Sequence, residues 1–341
     1  MDYAERLLAW FDINKREMPW RNTNDPYAIW VSEIMLQQTQ VDTVIPYYER
    51  FIDRFPTIHS LASASLEEVY TYWQGLGYYR RAENLHKGAR MIDEVYGGVF
   101  PTDSDLIKKI PGIGPYTLGA ILSIAFHKPI PAVDGNVMRI LARQFLIEED
   151  VSIAKNRKIF DERVMALMPS DPNRFNQALM ELGALVCTPK NPKCTACPVQ
   201  TLCGGYQTGV AENYPVKSKK VNSKTLYYYV IIFKKEQSYY MVKRPEEGLL
   251  ANTWGFVMLD KTVFDNIKHQ LLLVKPLNTV RHVFTHLKWE MKPLLVSNRE
   301  NEMPKETMDQ ISQGRFVTLA QMEALPIATA FKKVIEQIPN R

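Results

Sequence analysis

Residues 107–136 read IKKIPGIGPYTLGAILSIAFHKPIPAVDGN, and their order decides the fold. A helix leads into the turn Pro111-Gly112-Ile113-Gly114-Pro115, where two glycines permit positive φ and the second proline suits the first turn of a following helix. That helix, Tyr116 to about Phe126, carries Leu118, Ile121, Leu122, Ile124, Ala125 and Phe126 around most of its circumference, so it is expected to be buried rather than amphipathic. A buried helix fixes its own N-terminus in space, and the unpaired N–H groups there suit a phosphate. A corner that only packs two helices accounts for the glycines as well. Further on, Pro129 and Pro131 break the pattern, and Asp134 precedes VMRILARQF. Asp134 can serve as the N-cap, as an ionised acid beside a ligand, or as both.

Upstream, residues 4–13 read as a short amphipathic helix, followed by the loop Met18-Pro19-Trp20-Arg21 and a cap at Asp25-Pro26. In residues 27–55, Glu33 sits between Trp30-Val31 and Ile34-Met35-Leu36. A carboxyl group carried into apolar surroundings has a raised pKa and can donate a proton near neutral pH. The plain alternative is an acid in a first helical turn, interacting with the helix dipole. Residues 73–82, WQGLGYYRRA, hold two glycines, three aromatics and two arginines. They suit a loop that inserts a ring between bases, or a tight connection with core tyrosines.

Downstream, a helix from about Asn173 to Val186 runs into all four cysteines, Cys187, Cys194, Cys197 and Cys203, spaced Cys-x6-Cys-x2-Cys-x5-Cys. Four thiolates suit an Fe–S cluster or zinc, and zinc ribbons carry two close Cys-x2-Cys pairs where this loop has one. A [4Fe–4S] cluster is the expectation. Residues 204–224 lack apolar periodicity and read as a linker. Beyond them TLYYYVIIF and SYYMVKR are expected to form a β-hairpin, with further strands in VRHVFTHLKWEMKPLLV and a helical end in LAQMEALPIATAFKKVIEQI.

The 341 residues allow two or three domains, and 46% apolar with 23% charged residues is an ordinary globular composition. The net charge of +5 permits nucleic-acid binding without arguing for it. No apolar run reaches membrane-spanning length, and the acidic N-terminus lacks the pattern of a secretory signal, so a cytoplasmic protein without membrane contact is expected.

Taken together, Val31-Ser32-Glu33-Ile34-Met35-Leu36-Gln37-Gln38-Thr39, Gly75-Leu76-Gly77-Tyr78-Tyr79, Ile110 to Thr117, Val133 to Val137 and the cysteine loop resemble the helix-hairpin-helix DNA glycosylases, and among them the MutY family of adenine DNA glycosylases. The endonuclease III branch shares the hairpin, the aspartate and the cluster loop, but it carries a lysine nucleophile where this chain has Tyr116. The resemblance implies a multidomain protein: an all-α helix-hairpin-helix glycosylase domain with a [4Fe–4S] cluster loop, plus a C-terminal α+β Nudix-like domain. Its expected bounds are residues 1–206 for the catalytic region, comprising a six-helix barrel of about 25–130 and a cluster domain of the N-terminal helix with about 131–206. A linker at 207–225 and a recognition domain at 226–341 complete the chain.

It further implies a monofunctional monomer that removes adenine opposite 8-oxoguanine or guanine in double-stranded DNA. Glu33, Asp134 and Tyr116 would be catalytic. Arg21, Gln38, Tyr78, Gly112, Ile113, Gly114 and the loop Phe284-Thr285-His286 would contact DNA. Relatives usually have proline where this chain has Val257, a departure within the recognition domain. A Nudix hydrolase would need a Gly-x5-Glu-x7-Arg-Glu-x2-Glu-Glu helix, and none is found. A catalytically silent Fe–S DNA-binding protein would have no use for paired acids at Glu33 and Asp134.

Overall fold

Local chemistry starts several of the helices. Asp2 opens α1 (Tyr3–Asn14) by accepting from the Glu5 N–H at 2.8 Å, while Glu5 accepts from the Asp2 N–H. Asp25 and Pro26 open α2 (Pro26–Leu36). Then come α3 (Val41–Arg54), α4 (Ile58–Ser63), α5 (Leu66–Trp73), capped by Ser65, and α6 (Arg80–Tyr96). The hairpin consists of α7 (Ser104–Ile107) and α8 (Pro115–Ile124). Its first helix is thus a single turn, shorter than the expected partner, because Lys109 and Ile110 tighten into i→i+3 turns before Pro111. After it lie α9 (Gly135–Phe145), α10 (Arg157–Leu167), α11 (Pro172–Leu185) and the short α12 (Gly204–Gln207).

This computed structural model describes residues 2–218, 224–284, 287–297 and 313–339. By its contacts the chain forms two compact units, Met1–Ser63 with Asn84–Lys219, and Ala64–Glu83 with Lys220–Arg341. In the first unit α8 is buried at every position from Thr117 to Ile124, as its all-round apolar pattern requires. Leu7 and Phe11 of α1, Ile140 and Leu141 of α9, Phe160 of α10 and Leu179 and Leu182 of α11 share one core. Residues 204–218 are not a bare linker. Gly205 is buried where an added Cβ would collide with the Arg143 carbonyl, and Ser218 caps the Asp150 carboxylate.

The second unit is built on a mixed sheet. Its strands are β1 (Lys224–Lys235), β2 (Ser238–Lys243), β3 (Trp254–Gly255), β4 (Val257–Leu259), β5 (Leu272–Pro276), β6 (Val280–Val283), β7 (Leu287–Ser297) and β8 (Gly314–Thr318), with α13 (Lys261–Ile267) between β4 and β5. The main order is β3-β2-β1-β7-β5, with β1 and β7 parallel from Lys224↔Leu287 to Lys234↔Ser297. The expected hairpin is the β1–β2 pair. Along β1, Val230 and Ile232 face a core with Trp289 and Phe331, while Ile231 and Phe233 face another with Leu259 and Ile267. Burial on both faces explains why this strand reads as continuous apolar sequence. The C-terminal helical stretch divides into α14 (Leu319–Glu323) and α15 (Thr329–Ile335) around Pro326. Among the described residues no helix is long and apolar enough to cross a membrane.

Candidate active site

Three helix ends of the first unit meet in a cleft of about 670 Å³ lined by Glu33, Tyr116 and Asp134, a volume ordinary for a ligand site. Glu33 lies on α2 and is only 5% exposed. Tyr116, in the first turn of α8, donates its hydroxyl to Glu33 Oε2 at 2.6 Å and reaches Met180 Sδ at 3.6 Å. Asp134 caps α9, accepting from the Val137 N–H and from Asn136 Nδ2, both at 2.8 Å.

Burial pushes Glu33 up to about 7; the Tyr116 hydrogen bond works against this and the charge of Asp134 adds to it. Burial likewise raises Asp134, opposed by its bonds from Val137 and Asn136. Burial drives the Tyr116 phenol well above its ordinary value, so it remains a hydrogen-bond donor. The arrangement offers one carboxyl that is protonated through much of the neutral range, beside a second that is held by donors.

Glu181 and Arg16 also line this cleft, and neither is among the residues expected from sequence. Glu181 on α11 is 1% exposed. It accepts from the Arg16 backbone and guanidinium at 2.8–3.0 Å and from Arg21 Nη2 at 2.8 Å. Arg21 is therefore held in place, with its second nitrogen on the Arg16 carbonyl at 2.6 Å. The available signal is an acid inside the apolar run ALMELGAL, the same signal that singles out Glu33.

The remaining expected residues are spread over both units. Gln38, between α2 and α3, is exposed at the cleft with φ +57°. Gly112 is exposed with φ +83°, where a Cβ would meet Asn84, and Gly114 is the exposed cap of α8, whereas Ile113 is buried. Tyr78 belongs to the second unit, 54% exposed with φ +51°. Phe284, also of the second unit, is half-buried, edge-on to Trp289 at 4.8 Å, and its N–H closes a turn onto the Leu287 carbonyl. Thr285 and His286 lie outside the described residues.

Cys187, Cys194, Cys197 and Cys203 line one cavity with Arg143. Arg143, 2% exposed, donates to the carbonyls of Thr188, Pro189 and Tyr214 at 2.7–3.1 Å and approaches Cys187 Sγ at 3.4 Å. Arg139 donates to the Cys187 carbonyl at 2.8 Å and to Asn136 Oδ1 at 2.9 Å. A continuous chain of hydrogen bonds thus runs from the cysteine loop to Asp134.

Residues 31–166 match the model of the HhH-GPD superfamily base excision DNA repair proteins, residues 187–203 the iron-sulfur binding domain of endonuclease III, and residues 228–337 the NUDIX domain. Fold and site together define a helix-hairpin-helix base-excision repair glycosylase with an iron–sulfur loop and a Nudix-like C-terminal domain. The adenine DNA glycosylase of Mus musculus is 34% identical over 97% of this chain and 77% of its own length, and that of Buchnera aphidicola (subsp. Schizaphis graminum) 38% identical over 86% and 87%. The chain belongs to the adenine DNA glycosylase family. A solved thermostable thymine-DNA glycosylase superposes with a TM-score of 0.56 at 31% identity, over 60% of this chain and 95% of that one.

Proposed function

We propose that this protein hydrolyses the N-glycosidic bond of adenine mispaired with 8-oxoguanine or guanine in duplex DNA, leaving an abasic site and an intact strand. The observation that carries this is the Tyr116–Glu33 hydrogen bond beside Asp134. A tyrosine fills the hairpin position that Schiff-base chemistry gives to lysine, and among the described residues no lysine lines the cleft.

Adenine departs poorly until protonated. Glu33 in its neutral form gives a proton to adenine N7. The C–N bond breaks with its electron pair leaving on the base, and Asp134 as carboxylate stabilises the cationic sugar, through space or as a transient ester, until water adds. Tyr116 orients the Glu33 carboxyl. The base must leave the stack first. Gln38 and Tyr78 wedge into the vacated space, Gly112, Ile113 and Gly114 hold the distorted strand by its phosphate, and Arg21 closes the base pocket. The C-terminal domain, residues 226–341, reads the opposite 8-oxoguanine through Phe284, Thr285 and His286.

The cysteines hold a [4Fe–4S] cluster. All four line one void, in the stretch that matches the iron-sulfur binding domain of endonuclease III. A loop with one close Cys-x2-Cys pair suits a polynuclear cluster with one thiolate per iron better than zinc. When bound, the cluster cross-links residues 187–203, while Arg143 and Arg139 hold the loop from beneath. A brown protein with about four irons per chain is expected for such a cluster; a colourless zinc protein overturns the assignment.

On a duplex with adenine opposite 8-oxoguanine, the protein should release adenine and leave a strand that breaks only after alkali. Direct nicking, or a preference for an oxidised pyrimidine, overturns the proposal. Glu33→Gln should abolish release with DNA affinity largely kept, and normal turnover by that variant returns Glu33 to a structural role.

A further inference from the structure

Residues 64–83 interrupt the first unit in sequence, yet their contacts group them with residues 220–341. One hydrogen bond attaches them explicitly. Gln74 Nε2 donates to the Leu325 carbonyl at 3.0 Å, and Leu325 is 3% exposed. The enclosed Tyr70 hydroxyl faces Asn252 without a hydrogen bond of good geometry. Asn252 is itself fixed by its N–H on the Pro245 carbonyl at 3.1 Å.

Beyond Gln74 the chain forms a stiff loop. Gly75 and Gly77 have φ of +103° and +76°, and the Gly77 carbonyl accepts from Trp73 Nε1 at 3.0 Å and from Arg81 Nη2 at 3.3 Å. The Arg81 guanidinium lies over both the Trp73 ring, at 5.5 Å, and the Tyr78 ring, at 5.3 Å. Tyr79 packs edge-on to Tyr70 at 5.3 Å. Tyr78 alone of these rings projects into solvent, at 54% exposure. A loop with its carbonyls bonded and its rings interlocked moves as a body, so its position is set at its base, where Gln74 holds Leu325.

Leu325 in turn joins the sheet core. The Trp254 N–H donates to the Pro326 carbonyl at 2.9 Å, and Trp254, Ile327 and Phe331 pack with Trp289, against which Phe284 stands. A contiguous packed path therefore connects the Phe284 turn to the Tyr78 loop within one unit.

We infer that Gln74 is a positioning residue that makes insertion of Tyr78 depend on what the C-terminal domain has bound, so that the wedge and the reader of the opposite base act as one body. This rests on the proposed function. Wedge placement then favours adenine opposite 8-oxoguanine over adenine opposite guanine.

The test uses the full-length protein in single-turnover excision on both duplexes, with 2-aminopurine beside the opposite base to report unstacking by Tyr78. Wild type should prefer the 8-oxoguanine duplex and unstack the probe more on it. Gln74→Ala should lower that preference by roughly five-fold, the scale of a modest coupling between sites, with the guanine duplex little changed and the probe signal equal on both. Should Gln74→Ala not fold, Gln74→Asn, which keeps the amide but cannot reach Leu325, carries the same test. A wild type that releases adenine from neither duplex overturns the proposed function and this inference with it, and one that releases it from both without preference overturns the inference alone. A wild type with preference that either variant retains, probe signal included, overturns the inference alone.

Discussion

Glu33 is the residue at which stability and chemistry oppose each other. Its carboxyl titrates near 7 in the fold against 4.5 when exposed. Between those values the folded state binds the proton that the unfolded state releases, so this group's contribution falls as pH rises through that window. The charged form at pH 8 then costs up to about 3 kcal/mol. Glu33→Gln should raise the denaturant midpoint at pH 8 and leave it nearly unchanged at pH 4.5. A variant no more stable than wild type at pH 8 refutes this. In the proposed mechanism excision needs the protonated form, so the single-turnover rate should decline as pH rises through about 7. Since the Tyr116 hydroxyl stabilises the Glu33 carboxylate, Tyr116→Phe should move that alkaline limb upward; a limb that stays or moves down refutes the assignment. The burial of Glu33 was legible because an acid amid WVSEIML is carried into apolar surroundings whatever its role. Glu181 carried the same signal, but that it neutralises Arg16 and Arg21 depends on α11 meeting the chain's first loop, which no local pattern records.

The elements around Asp134 hold it by backbone contacts. The connector from Ile130 to Ala132 runs between α8 and α11. Asn176 of α11 donates to the Ile130 carbonyl and accepts from the Ala132 N–H, each at 3.0 Å. On the other side the Pro131 carbonyl lies so close to Gly119 that any Cβ would collide with it. Asn176→Ala would leave the buried Ala132 N–H and the half-buried Ile130 carbonyl without this partner, a loss of about 1–3 kcal/mol, and should slow excision by displacing Asp134. Urea unfolding and single-turnover rates check both effects, and wild-type values in either refute the clamp. In the cysteine loop, Arg143→Ala removes the donor to three carbonyls and should lower iron content per chain; full iron loading would show the loop holds itself. The buried hairpin helix and the Asp134 cap were legible from apolar density and from residue type. The clamp was not, because an Asn or a Gly inside a helix reads as neutral until its neighbour is known.

At the scale of the whole molecule, the change of composition near residue 224 is visible to the eye, but the membership of residues 64–83 is not, because its contacts cross most of the chain and leave no periodicity behind. If that segment belongs with the sheet, a fragment of residues 1–218 should be cut by protease within 64–83 under conditions where the full chain resists; equal resistance would refute the assignment. The Gln74–Leu325 hydrogen bond also bears on how the molecule is made. Its partners are 251 residues apart, and at about 5–20 residues per second a ribosome needs roughly 13–50 s to deliver the second after the first. For that interval the nascent helical half carries a segment whose partners do not yet exist. During synthesis the loop that carries Tyr78 therefore gains its footing at Gln74 only after residue 325 has emerged.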